Sequence, residues 1–94
     1  MYKLTQLAAD DFGGIYDYTL NEFGAVQADH YTDALEAFFD MLAEMPELGR
    51  NYSAVPNVLR IEFQRHTVFY RVREADIPIV RILHQQMNHT KHFL

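Results

Sequence analysis

Three arginines and one histidine are the residues best suited to chemistry in this chain of 94 residues. Arg60, Arg71 and Arg81 fall in three successive segments of alternating polarity, and His84 closes the last of them. Arginine forks could hold a phosphate and stabilise developing charge, and an imidazole could move a proton. That is the outline of a metal-free ribonuclease. Two features oppose it. Alternation puts His84 on the face opposite Arg81. The chain also has two lysines and a pI near 5.4, without the basic footprint of a nucleic-acid binder. Direct contact with nucleic acid is therefore not expected.

Other chemistries find less support. Zero cysteines exclude a disulfide scaffold, a cysteine-based zinc site and a cysteine nucleophile. Ser53 is the sole serine and lies in a loop without nucleophile-elbow glycines. Gly13-Gly14 sits inside a helical pattern and matches no phosphate-binding loop. His84, His89 and His92 have no compact zinc spacing and no carboxylate to complete them. His30 and His66 are isolated and read as structural or exposed. No metal or cofactor is expected.

The elements that position these residues form an α+β domain spanning 1–94, in the order β-α-α-β-β-β. Tyr2 to Gln6 alternate as a short first strand, and Thr5 can cap the helix that follows. Asp10 and Asp11 near its start suit the helix dipole. Phe12, Ile15, Thr19 and Phe23 form its apolar stripe, widened by Tyr16 and Leu20, and Gly24 stops it. Ala28, Tyr31, Leu35, Phe38, Leu42 and Met45 step by three and four along a second helix, which Pro46 ends. Asn51 to Asn57 reads as a loop. Three strands follow over 58–63, 66–74 and 77–84, with a turn at Ala75-Asp76 and Pro78 close to the start of the last. The helical hairpin packs on one face of a mostly antiparallel sheet.

Alternation places Leu59, Ile61, Phe63, Val68, Tyr70, Val72, Val80 and Ile82 beneath the helices, with His84 at the end of that face. The other face carries Arg60, Glu62, Phe69, Arg71, Arg73, Ile79, Arg81 and Leu83. Two helices cannot cover both faces, so this arginine-rimmed face reads as uncovered and suited to docking. Residues 85–94 form a tail without period.

Charge divides along the chain. Residues 1–49 hold ten carboxylates against Lys3 alone, a net −9. Residues 50–94 hold seven bases against three acids, a net +4, so the whole is −5. Asp29, Asp33, Glu36, Asp40, Glu44 and Glu47 line one flank of the second helix. The split points to a charged partner. No run of 18 apolar residues suggests a membrane span. The N-terminus lacks a secretory signal. These features suit a reducing cytoplasm.

Four strings carry a family resemblance: YDYTLNEFGAVQADHY over 16–31, LAEMPELGR over 42–50, HTVFYRV over 66–72 and IVRILHQQM over 79–87. Taken in order they resemble the ParE branch of the RelE/ParE toxin superfamily, across nearly the whole chain. The resemblance implies the same hairpin-and-sheet fold and the toxin of a type II toxin–antitoxin module. ParE-like toxins inhibit DNA gyrase and are neutralised by a co-encoded antitoxin, with higher-order complexes expected. The RelE branch instead cleaves mRNA on the ribosome. Arg81-Ile82-Leu83-His84 and Gly49-Arg50 match the family's strings. The lysine-rich set of RelE-like nucleases is not recognisable, which favours a binding inhibitor over an enzyme. The tail NHTKHFL departs from the pattern.

The antitoxin is accordingly expected on Arg60, Phe69, Arg71, Arg73, Ile79, Arg81 and Leu83, where Ile79→Glu would weaken the complex. The target is expected on Arg81, His84, Met87, His92 and Phe93. Two alternatives stand beside this. One is a ribosome-dependent endonuclease using Arg60, Arg71, Arg81 and His84. The other is a module whose sole partner is its antitoxin.

Overall fold

Thr5 starts the first helix as its sequence suggests. In the computed structural model, which describes residues 1–93, its hydroxyl accepts from the Ala8 N–H at 3.2 Å and donates to the Val80 carbonyl at 3.1 Å. One side chain thus caps helix α1 (Gln6–Phe23) and ties it to the sheet. Asp10 and Asp11 lie beyond the first helical turn, so neither serves the dipole as expected. Gly24, at φ +91°, ends α1 and begins helix α2 (Ala25–Glu44). A side chain is strained in that conformation, so glycine fits the joint. Pro46 then opens a 3₁₀ turn over Pro46–Leu48.

The buried stripes are narrower than the sequence pattern. Ala8, Ile15 and Thr19 are buried on α1, whereas Leu20 and Phe23 are exposed. On α2 the buried residues are Ala28, Thr32, Leu35, Phe39 and Leu42. Tyr31 and Phe38 are half-buried and Met45 is exposed. A helix touching both a partner helix and a sheet buries an arc between the two contacts, which moves its centre onto Thr32 and Phe39. The buried hydroxyls of Thr19 and Thr32 donate to carbonyls four residues back, at 2.7 and 2.9 Å.

The strands are β1 (Tyr2–Leu4), β2 (Arg50–Asn51), β3 (Leu59–Phe63), β4 (His66–Tyr70) and β5 (Ile77–His84). Their order is β1-β5-β4-β3-β2. β1 runs parallel to β5 and every other pair is antiparallel. Two-residue β2 takes in Asn51, the first residue of the expected loop. β4 stops at Tyr70, which leaves Val72 exposed instead of beneath the helices.

A bulge changes which side chains face the helices. Phe69 pairs with Arg81 and Tyr70 with Ile79, so Val80 has no partner on β4. One extra residue reverses the alternation beyond it. Ile77 and Ile79 therefore join Ile82, Val68 and Tyr70 in the core beneath the helices. Val80 turns to the other side, against Phe69 and Leu83. Strict alternation had placed Ile79 and Val80 the other way round.

The second face is also covered. Val58, Phe69 and Leu83 are buried there, packed by Tyr52, Val55, Val80 and Phe93. The cover comes from the loop before β3 and from a 3₁₀ turn over His89–Phe93. Phe93 lies 5.0 Å from Phe69 and 5.6 Å from Tyr52 between ring centres. Residues 89–93 of the tail without period are thus a second, small lid of core, and Leu94 lies outside the described residues.

Candidate functional site

The arginines share a sheet but each has its own partner. Arg60, Phe69 and Arg81 align in one row across β3, β4 and β5. Arg60 bonds Glu62 at 3.0 Å and lies over the rings of Tyr52 and Phe69 at 5.7 and 5.8 Å. Burial raises the Glu62 pKa, but the bonds and charges of Arg60 and Arg50 outweigh this and hold it below its ordinary value. Arg71 donates to the carbonyls of Pro56 and Asn57, which pins the loop before β3. Arg73 forks onto Asp76 at 2.7 and 2.8 Å. Arg81 forks onto both oxygens of Asp11 at 2.8 and 2.9 Å and donates to the His92 carbonyl at 3.1 Å. His84 is on the helix side, next to His66. The four residues of the ribonuclease outline do not converge on one point.

The expected antitoxin set is likewise divided. Phe69 and Leu83 are buried beneath the chain's own Tyr52 and Phe93, and Ile79 lies in the opposite core. These three offer no docking surface, so Ile79→Glu would damage the core instead of probing a complex. Arg60, Arg71 and Arg81 remain around that face, whereas Arg73 lies in the turn beyond β4, paired with Asp76. The expected target set also splits. His84 and Met87 line the helix side, Phe93 packs on Phe69, Arg81 is held by Asp11, and His92 is exposed.

A sizeable cleft lies elsewhere. A cleft of about 740 Å³ opens between α1, the start of α2 and the far end of the sheet. Ile15, Tyr18, Thr19 and Phe23 form one wall, Gln64, Arg65 and Met87 the other. Tyr31, His66 and His84 also line it. The Tyr31 hydroxyl is 2.7 Å from His66 Nδ1. His66 pairs across the strands with His84, their rings edge to face at 5.4 Å. His84 Nδ1 accepts from the Gln86 N–H at 3.1 Å, so a neutral ring carries its proton on Nε2. In the sequence His66 reads as isolated. The signal was present, since His66 and His84 end two antiparallel segments joined by one turn. Among the described residues no three His, Cys, Asp or Glu side chains are grouped to hold a metal.

Residues 2–89 match the family model described as ParE toxin of type II toxin-antitoxin system, parDE. The chain belongs to the ParE toxin family. It is 35% identical over 96 residues to Toxin ParE1 of Caulobacter vibrioides, covering 97% of this chain and 95% of that protein. It is also 35% identical over 89 residues to Toxin ParE1 of Mycobacterium tuberculosis, covering 93% and 91%. A solved structure described as the chromosomal ParDE TA system from P. aeruginosa matches with a TM-score of 0.78 and 25% identity. That match covers 88% of this chain and 92% of the other.

This ParE-family chain therefore has the β-α-α-β-β-β plan that the resemblance implied, with β2 added. Among the described residues no helix is long and apolar enough to cross a membrane. His66, in its cleft, gives the fold a pH dependence. Burial, aided by neighbouring His84, pushes the His66 pKa down to about 4, against an opposing pull from Asp11. A histidine held neutral costs the fold nothing above its unfolded pKa of about 6.5. Stability is lost as pH falls from there toward 4, because only the unfolded chain takes up the proton freely. Between pH 7 and pH 5 the loss should be about 1 kcal/mol, after discounting for the ring's partial exposure. Urea denaturation at the two pH values checks this, and His66→Asn should remove most of the difference. An unchanged slope in that variant would assign the loss to other groups.

Proposed function

We propose that this toxin arrests growth by binding, not by cleavage. Its target is DNA gyrase, and a co-encoded antitoxin holds it inactive in a higher-order complex in the cytoplasm. One observation carries the non-enzymatic reading: Arg60, Arg71 and Arg81 are each engaged by a different partner, and His84 lies on the other side of the sheet. General acid–base catalysis on a phosphodiester needs those groups within reach of one reacting centre. Membership of the ParE family supports the toxin role, and the acidic balance of the chain disfavours nucleic acid as a direct ligand. Contact with the target falls to the surface around the C-terminal turn, where His92 is exposed and Arg81 holds the backbone.

Induction in growing cells tests this. Growth should stop, reporter plasmids should lose negative supercoiling, and the 5′ ends of translated messages should stay unchanged. New 5′ ends within translated messages would overturn the reading in favour of a ribosome-dependent endonuclease. Uninterrupted growth would reduce the chain to an antitoxin-binding module.

A further inference from the structure

Two imidazoles in the helix-side cleft present the same hydrogen-bonding group. His66 and His84 pair across β4 and β5, with ring centres 5.4 Å apart. Burial holds the Tyr31 pKa above its ordinary value, against the opposing pull of the Arg65 backbone and charge. The phenol therefore keeps its proton and can donate it to His66 Nδ1 at 2.7 Å. Burial also keeps the His66 ring neutral near pH 7, which places its own proton on Nε2. The Gln86 N–H does the same for His84 by donating to Nδ1. Among the described residues neither Nε2–H has a hydrogen-bond partner. Both rings are half-buried, so a ligand would take the place of water at two aligned donors.

The cluster selects an acceptor, not a metal ion. Coordination at His84 Nε2 would need the ring proton on Nδ1, where the Gln86 N–H already points. Arg65 lines the same end of the cleft and forms no ion pair among the described residues. Two carboxylates also line the cleft, and each has a donor of its own. Asp11 accepts from Arg81 and the Ile82 N–H, and Asp10 accepts from Gln6 Nε2 at 3.0 Å. The sheet end thus offers two N–H groups and one positive charge. The helix wall offers flat apolar surface: Tyr18 is 63% and Phe23 60% exposed. The volume of about 740 Å³ is that of a small-molecule site. We infer that the cleft binds a small aromatic carboxylate. Its two oxygens accept one N–H from each imidazole and face Arg65, bonds that the negative charge strengthens. Its ring lies against Tyr18 and Phe23. The inference stands apart from the mode of action proposed above and needs neither gyrase nor antitoxin.

The probe is 2-naphthoate, titrated into the full chain and followed by NMR of the histidine ring nitrogens. A ligand of this size should bind with a Kd of about 0.1–1 mM. The His66 and His84 signals should move, and those of His30 and His92, which do not line the cleft, should stay in place. The amide 2-naphthamide has the same shape without the charge and should bind about ten-fold more weakly. His84→Phe keeps a ring and removes its donor, and should weaken 2-naphthoate binding by about ten-fold. Arg65→Gln, at an exposed position, should weaken it by about three-fold. Thermal melts confirm that both variants fold, and Arg65→Gln decides the matter if His84→Phe does not. Absence of any shift at about 10 mM probe would overturn the inference. Equal affinity for the acid and the amide would overturn it, as would unchanged affinity in the folded variants. Shifts confined to histidines outside the cleft would place the probe elsewhere and overturn it too.

Discussion

Asp11→Ala should lower the stability of the folded chain by about 3 kcal/mol. For a domain of this size that corresponds to a fall in Tm of roughly 12–24 °C. Strand β1 ends at Leu4, so the outer edge of β5 beyond Ile79 has no strand beside it. The Asp11 carboxylate takes that place. It accepts from the Ile82 N–H at 2.9 Å and from Arg81 Nε and an Arg81 terminal nitrogen at 2.8 and 2.9 Å. Both charged side chains are only 13–14% exposed. The bond to Asp11 raises the Arg81 pKa against the effect of burial, so the guanidinium stays charged. Removing the carboxylate leaves that charge largely buried and unpaired, and a backbone N–H unsatisfied. Arg81 also holds the His92 carbonyl, so the C-terminal turn over Phe69 should loosen as well. Thermal and urea unfolding measure the loss. Adding Arg81→Met to Asp11→Ala should restore part of it, because the stranded charge is then absent.

Gly49→Ala should cost about 2–3 kcal/mol, at the upper end of overpacking penalties. Its backbone is extended, at φ −75° and ψ 166°, so the cost is steric, not conformational. A Cβ would lie 2.8 and 2.9 Å from ring carbons of Tyr70. That ring cannot retreat. Tyr70 is fully buried, and its hydroxyl donates to the Pro46 carbonyl at 2.7 Å and accepts from the Gly49 N–H at 2.8 Å. Burial raises the Tyr70 pKa, which keeps the hydroxyl protonated and able to donate. These bonds fasten the end of the helical hairpin to β4. A denaturant series on Gly49→Ala, Tyr70→Phe and the double variant checks the account. The loss in the double variant should be smaller than the sum of the two single losses, since both changes disturb one contact.

The local punctuation of this fold is plain in the sequence, and its second core is not. Thr5, Gly24 and Pro46 each act through a local preference, and each falls where such a residue belongs. Strands β3 and β4 alternate cleanly enough to give their faces. Strand β5 does not, because Ile77, Ile79, Val80, Ile82 and Leu83 are apolar on both sides of any phase. A single bulged residue at Val80 therefore left no trace in the pattern and reversed Ile79. The tail has no period because a 3₁₀ turn of five residues needs none; Phe93 finds its place through Phe69 and Tyr52. Asp11 has two plausible local roles, and only the short reach of β1 decides between them. The cleft is least visible of all. It is defined by what does not fill it.

The toxin's mode of action is tested most directly by titrating purified gyrase with purified, folded toxin in a supercoiling reaction. A binding inhibitor should abolish supercoiling at toxin amounts close to those of gyrase, with no change in nucleic-acid length, and added antitoxin should reverse the effect. Supercoiling that persists at large toxin excess would contradict the account.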